Sequence, residues 1–330
     1  MISSQGRNLI VHLMQEPEAR VAEFFVAKPK QIVTVEVPDR DGVAVQIYDF
    51  IGQSSHYSSS FGLQWKKYRA VQIDRLNNTK ATFAHLKEGI AQGDLSVFDG
   101  AVCLEIGSGA GRFTDYLVRF CKTVVTIEPS EALTVNAALG SPNLVAAQAD
   151  LFQIPIRRKK IDVVFCRGVT QHTRDTKAAI KALFNYVRPG GIVLFDVYPL
   201  RWYTPFVTKY WLRPFTRRMN PVRFTKLAER WVPKLLRFKS RYVTPFLPDN
   251  NWGRNIANQI VPIADFTRSP HFQDEQTRIL WAILDTVDMY TPRYDRPMTF
   301  RSILHTLDSL GARDVKANKT TFCFRAVAPG

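Results

Sequence analysis

The run AVCLEIGSGAGRFT places Glu105 two residues before Gly107, with Gly109 and Gly111 following at intervals of two. Glycines in this pattern let a backbone turn sharply and approach a ligand where a Cβ would clash. The spacing differs from the GxGxxG of a dinucleotide loop, which rests a pyrophosphate on a helix N-terminus. A carboxylate two residues upstream, facing the ligand, would repel a phosphate and hold an ammonium group. The loop therefore predicts a ligand with amino-acid character, its amino group held by Glu105. Further along, Glu128 closes TVVTIE, Asp150 with Leu151 follows NLVAAQ, His172 lies in VTQHT, and Asp196 closes GIVLFD. A neutral imidazole at His172 could accept a proton from a reacting hydroxyl. A packing or helix-capping role for His172 is the alternative, and Asp196 is the second candidate base.

These groups need a scaffold that brings strand ends together. AVCLEI, TVVTIE, NLVAAQ, IDVVFC and GIVLFDV read as short apolar strands, alternating with helices such as RFTDYLVRF, SEALTVNAAL and DTKAAIKALFNYV. That alternation predicts a doubly wound, mostly parallel sheet with helices on both faces. It stops near Pro199 and resumes at the C-terminus with a helix, MTFRSILHTLDSLG, and two strands, DVKAN and TTFCFRAV. QIVTVEV and VAVQIYDF read as a hairpin reversing at Asp41-Gly42, followed by a polar loop, GQSSHYSSS, and a helix through AHLKEGI. Four regions are expected: an N-terminal module at 1–60, a core at 61–199, an insertion at 200–290, and a closing helix with two strands at 291–330.

With its landmarks in this order, the chain resembles the class I S-adenosylmethionine-dependent methyltransferases, whose first motif is [D/E]xGxGxG. The resemblance spans roughly residues 61–198 and 275–327. It implies an α/β Rossmann-like methyltransferase fold with a seven-stranded sheet, and S-adenosyl-L-methionine as cofactor. It further implies that Glu128 accepts both ribose hydroxyls, that Asp150 with Leu151 recognises the adenine, and that His172 lies beside the transferred methyl. RPGG before the fifth strand matches the family's turn there. FGLQWKKYRAVQID and LWAILDTVDMYTPRYDRP resemble flanking segments of methyltransferases of bacterial polysaccharide and glycan pathways. That likeness implies a sugar hydroxyl as acceptor, in a nucleotide sugar or a lipid-linked glycan. Many members of that group carry an N-terminal cysteine zinc ribbon, but this chain has no cysteine before Cys103.

Absences narrow the acceptor atom. The place after the fourth strand reads CRGVTQ and not the [D/N/S]PP[Y/F/W] of nucleobase amine methylation, and no Pro-Cys dipeptide suits cytosine C5 chemistry. Oxygen methylation is favoured. An RNA methyltransferase is the second reading, and a non-catalytic binding protein that keeps the cofactor fold is a third.

The 330 residues carry a net charge of +16, with 45% hydrophobic and 22% charged residues, as in a packed globular protein. No apolar run approaches the roughly 18–20 residues of a membrane span. The first residues lack a signal-peptide pattern, so a cytoplasmic location is expected. The four cysteines are far apart without a CxxC, which predicts buried thiols and neither a disulfide framework nor a metal site.

Much of the charge is concentrated. Residues 209–239 hold ten Lys or Arg against one acid, Glu229, interleaved with aromatics. Phe224, Leu227, Trp231, Leu235 and Phe238 fall on one helical face beside a stripe of Arg223, Lys226, Arg230, Lys234 and Arg237, with Pro233 expected to kink or interrupt the helix. The segment suits a cover that meets a phosphorylated or acidic acceptor, a peripheral membrane contact, an RNA platform, or a helix whose apolar face is simply core. Nucleic acid is the least favoured partner, and the sequence is silent on oligomeric state.

Overall fold

The computed structural model describes residues 17–38, 42–52, 67–272 and 274–330. Residues 1–16, Asp41 of the expected hairpin turn, and most of GQSSHYSSS and FGLQWKKY lie outside the described residues. The chain divides into two compact units. Met1–Lys66, Phe83–Pro199 and Arg296–Gly330 make the first, and Lys67–Thr82 with Leu200–Asp295 the second.

The first unit is built on one sheet. Its strands are β1 (Gln31–Glu36), β2 (Ala44–Asp49), β3 (Val102–Ile106), β4 (Thr123–Ile127), β5 (Leu144–Gln148), β6 (Val163–Cys166), β7 (Ile192–Asp196), β8 (Arg313–Asn318) and β9 (Cys323–Val327). Their order is β1-β2-β5-β4-β3-β6-β7-β9-β8. The run from β2 through β7 is parallel, and the pairs β1–β2, β7–β9 and β8–β9 are antiparallel. The architecture is the expected α/β class, with nine strands where seven were expected. The N-terminal hairpin accounts for the other two: β2 lies parallel to β5, with Ile47 opposite Ala146 and Tyr48 opposite Ala147. Pairing there removes an open edge from β5, and Ile47 closes a small core with Leu133, Ala137 and Ala146. Such a long-range pairing has no local signature.

The central parallel strands are largely apolar because both faces are covered. Leu104, Ile106, Val125, Val164 and Phe195 belong to one buried cluster, whereas Cys103, Val124, Phe165 and Leu194 belong to the other. Helices α1 (Pro17–Phe24), α2 (Thr114–Phe120), α3 (Ala132–Ala137) and α4 (Thr176–Tyr186) follow in chain order. Asp175 caps α4, its carboxylate accepting the Ala178 N–H at 3.0 Å. AHLKEGI forms the end of a short helix that opens into a π turn at His85–Ile90.

After Pro199 the chain enters the second unit with α5 (Thr208–Thr216), α6 (Pro221–Tyr242), α7 (Asn251–Ile260) and α8 (Glu275–Tyr290), and it returns to the first unit before α9 (Phe300–Ser309). Asn220 caps α6 through the N–H groups of Val222 and Arg223, and Pro221 occupies the first turn, where its missing N–H costs nothing. The helix runs unbroken through Pro233, without the expected interruption. Its buried residues are Ala228, Val232, Leu236 and Lys239, and Phe224 meets Tyr290 of α8 with ring centroids 5.9 Å apart.

Candidate active site

The glycine loop leaves β3 at the carboxyl edge of the sheet. The N–H of Gly107 donates to Ile127 O on the neighbouring β4 at 2.7 Å, which seats the turn against the next strand. Gly107 has φ +75°, and a Cβ built there would lie 2.1 Å from Cγ2 of Val169, in the loop after β6. Gly111 has φ +95°, and its Cβ would lie 2.8 Å from Asn136 Oδ1. Only glycine satisfies both the backbone and the space at these two positions.

Glu128 stands where the sequence placed it, just past β4. Its Oε2 accepts the Gly109 N–H at 3.0 Å and its Oε1 accepts the Ser130 N–H at 3.0 Å. The carboxylate thus bridges the glycine loop and the β4 turn. Burial raises its pKa, while the hydrogen bonds from Ser130 and Gly109 oppose the rise.

Glu105, expected to face the ligand, has its carboxylate among threonine side chains. It is 1% exposed, and Oε2 accepts the hydroxyls of Thr114 at 2.6 Å and Thr126 at 3.1 Å. Asn136 Nδ2 donates in turn to Thr114 Oγ1 at 2.9 Å. Glu105 therefore lies beneath the loop in a buried polar network joining β3, α2, β4 and α3. The reason is strand alternation: on a five-residue strand covered on both faces, a side chain turned off one face meets helices rather than solvent.

Burial raises the Glu105 pKa from 4.5 to about 7, opposed by the threonine hydroxyls and reinforced by the nearby Glu128 charge. A native pKa above the unfolded value means that the folded state holds the proton longer. Stability from this group is complete below pH 4.5, falls as pH rises towards 7, and is then flat. The wild type should therefore lose about 3 kcal/mol relative to Glu105→Gln across that window. Urea unfolding of both proteins at a series of pH values checks this, and parallel curves would refute it.

The remaining positions divide. Asp150 is exposed, with Oδ1 accepting the Phe152 N–H at 2.8 Å. Leu151 is buried, and its carbonyl accepts the Tyr186 hydroxyl at 2.7 Å. His172 is 8% exposed, at the end of a single 3-10 turn, Thr170–His172, with its ring edge-on to Tyr198 at 5.4 Å. The loop that carries it is tied down on two sides. Gln171 O accepts the Arg296 N–H at 2.9 Å, and Thr170 Oγ1 donates to Asp196 O at 2.8 Å.

Asp196 is not placed to act as a base. Its Oδ2 is ion-paired with Arg167 Nη1, and its Oδ1 accepts the Gly168 N–H at 2.6 Å. Both oxygens are committed, and the charge is already matched by a guanidinium. Arg167 Nε also donates to His85 Nε2 at 2.8 Å, so a chain of three residues braces the loop after β6. Neither Arg167 nor His85 was singled out from the sequence. Arg167 had one signal, a charge immediately after an apolar strand; His85 had none.

Two more observations bear on a ligand. Ser108 Oγ, in the glycine loop, and Gln171 Nε2, after β6, are buried polar atoms without a hydrogen-bond partner among the described residues. Neither Glu105 nor Glu128 forms an ion pair among the described residues. Two buried acids without a cation suit a positively charged ligand, which would draw both back towards ionisation. A sulfonium compound with an amino group is such a ligand.

Residues 104–195 match the family described as Methyltransferase domain. The matched segment runs from β3 to β7 and contains Glu105, the three glycines, Glu128, Asp150 and His172. This segment is similar to a methyltransferase domain. An uncharacterized methyltransferase of Oceanobacillus iheyensis is 32% identical over 94 residues, covering 28% of this chain and 44% of that protein. A ubiquinone biosynthesis O-methyltransferase of Acinetobacter baylyi is 29% identical over 103 residues, 29% of this chain and 43% of that one. A tRNA U34 carboxymethyltransferase of Desulforapulum autotrophicum is 24% identical over 185 residues, 51% of this chain and 54% of that one. The chain thus spans about half or less of the length of these relatives. The matched segment includes Glu105 through Asp150 and His172, and the second unit lies outside it.

Proposed function

We propose that the protein transfers the methyl group of S-adenosylmethionine to a hydroxyl oxygen of a small acceptor, a sugar of a nucleotide sugar or glycan. The observation that carries the cofactor half is the buried pair Glu105 and Glu128 at a glycine loop, two acids with no ion pair among the described residues. Glu128 fits the ribose diol, since its oxygens hold only backbone N–H groups that a ligand hydroxyl could supplement. Asp150 and Leu151, at the end of β5, are assigned to the adenine.

His172 is assigned as the base. The acceptor O–H proton passes to its imidazole as the oxygen takes the methyl, and S-adenosylhomocysteine leaves. Holding both partners in line contributes on the order of 7–11 kcal/mol, and the base roughly 10²–10⁴-fold. Support for oxygen comes from CRGVTQ, which lacks an amine-methylation motif, and from the likeness to a ubiquinone biosynthesis O-methyltransferase. The sugar rests on the resemblance of the flanking segments. A tRNA acceptor is the second reading, favoured by the carboxymethyltransferase match, which covers more of the chain than the other two relatives.

Calorimetry with S-adenosylmethionine tests the cofactor half. Glu128→Ala should weaken binding at least about tenfold, the loss of hydrogen bonds to a charged group. Preferential binding of NAD would overturn the assignment. Transfer of a labelled methyl to a glycan extract, compared with total RNA, decides the acceptor. His172→Gln should lower kcat with cofactor affinity unchanged, and full activity in that variant would remove the base.

A further inference from the structure

The apolar residues of α6 do not share one buried face. The stripe packed into the second unit is Ala228, Val232 and Leu236, each more than 90% buried. A separate row, Leu227, Trp231, Phe238 and Tyr242, points away from it and is 43%, 49%, 49% and 57% exposed. At helical spacing this row extends about 22 Å along the helix. Beside it run Arg223, Lys226, Arg230, Lys234, Arg237 and Arg241, all exposed. Among the described residues none of the six forms an ion pair. The one acid of the helix, Glu229, lies on the other side and is bonded to Lys67 and Tyr68. Trp231 is flanked by Arg230 and Lys234, 5.7 and 5.0 Å from its ring. Helix α5 adds Trp211 and Phe215, 65% and 71% exposed and one turn apart.

We propose that α6 lays its Leu227–Trp231–Phe238–Tyr242 row on an anionic lipid surface, with the adjacent cations against the headgroups. Charge complementarity selects this partner: six cations outside any ion pair among the described residues line an apolar row that the fold leaves about half exposed. Rings and a leucine at headgroup depth, flanked by Lys and Arg, are the arrangement of an interfacial helix. A single-stranded nucleic acid would use the cations and rings but gain little from Leu227. Ala228, Val232 and Leu236 anchor α6 in the second unit, and the row beside them stays about half exposed. The proposal is independent of the catalytic assignment.

Co-sedimentation of the full chain with phosphatidylcholine vesicles, with and without phosphatidylglycerol, tests it. Binding is expected only to the anionic vesicles and should weaken as salt rises. Arg230→Glu with Arg237→Glu should reduce it by at least about tenfold. Trp231→Ala with Phe238→Ala should reduce it at low salt too, and far-UV circular dichroism should stay unchanged in both variants. Tryptophan emission should shift to the blue on binding, and less so in Trp231→Phe. Equal binding to neutral vesicles, no binding to either, or tighter charge-dependent binding to a single-stranded RNA oligomer would each overturn the proposal.

Discussion

Gly107→Ala is expected to weaken S-adenosylmethionine binding by about 100-fold or more, equivalent to roughly 2.7 kcal/mol. Two independent causes meet at this residue. An added Cβ would fall 2.1 Å from Val169 Cγ2, and φ is +75°, in the left-handed region that disfavours alanine. The neighbour is a stiff β-branched side chain on the tied-down loop after β6, so it cannot swing aside. The backbone must shift instead, pulling the Gly107 N–H from Ile127 O and disturbing the Gly109 N–H that Glu128 holds. Adding Val169→Ala should restore part of the affinity by relieving the contact and leave the part due to φ. Titration calorimetry on the single and double variants separates the two. Wild-type affinity in Gly107→Ala would show that the loop is not the cofactor's seat.

Arg167→Met should destabilise the protein by about 3 kcal/mol, the lower end of the cost of stripping one partner from a buried ion pair. The lower end applies because the Arg167 side chain is 20% exposed, although Asp196 is only 3% exposed. For a chain of this size the melting temperature should fall by roughly 4 °C. Methyl transfer should fall as well, since Arg167 and Gly168 hold the start of the loop that carries His172. The double variant Arg167→Met, Asp196→Leu should melt above the single one, because removing both charges costs less than leaving one buried. Thermal unfolding of the three proteins is the measurement, and an unchanged melting temperature in Arg167→Met would deny the pair any structural role.

The core was legible because its signals are local. Strand after strand announced itself by short apolar runs, and GSGAG by glycine spacing, since both depend on backbone geometry over a few residues. Counting strand ends was enough to place Glu128, Asp150, Leu151 and Asp196 at the carboxyl edge of the sheet. The pairing of Asp196 was not legible, because a carboxylate at a strand end reads alike whether it faces a substrate or an arginine 29 residues earlier. Glu105 shows the same limit, because its exposure depends on which helices cover its face of the sheet. His85 carried no signal at all.

The basic segment shows the division most clearly. Composition and helical period were sufficient to find an amphipathic helix at residues 221–242, because both are properties of consecutive residues. They grouped Phe224, Leu227, Trp231, Leu235 and Phe238 into one apolar face. Only packing within the second unit, against α8 among others, separated that face, burying Ala228, Val232 and Leu236 while leaving Trp231 and Phe238 about half exposed. The pairing of β2 with β5 and of Arg167 with Asp196 was likewise decided in three dimensions. The chain alone determines which residues could pack or react, through local geometry and chemistry. Which partner each one meets is set by contacts between distant segments, and those exist only once the chain has folded.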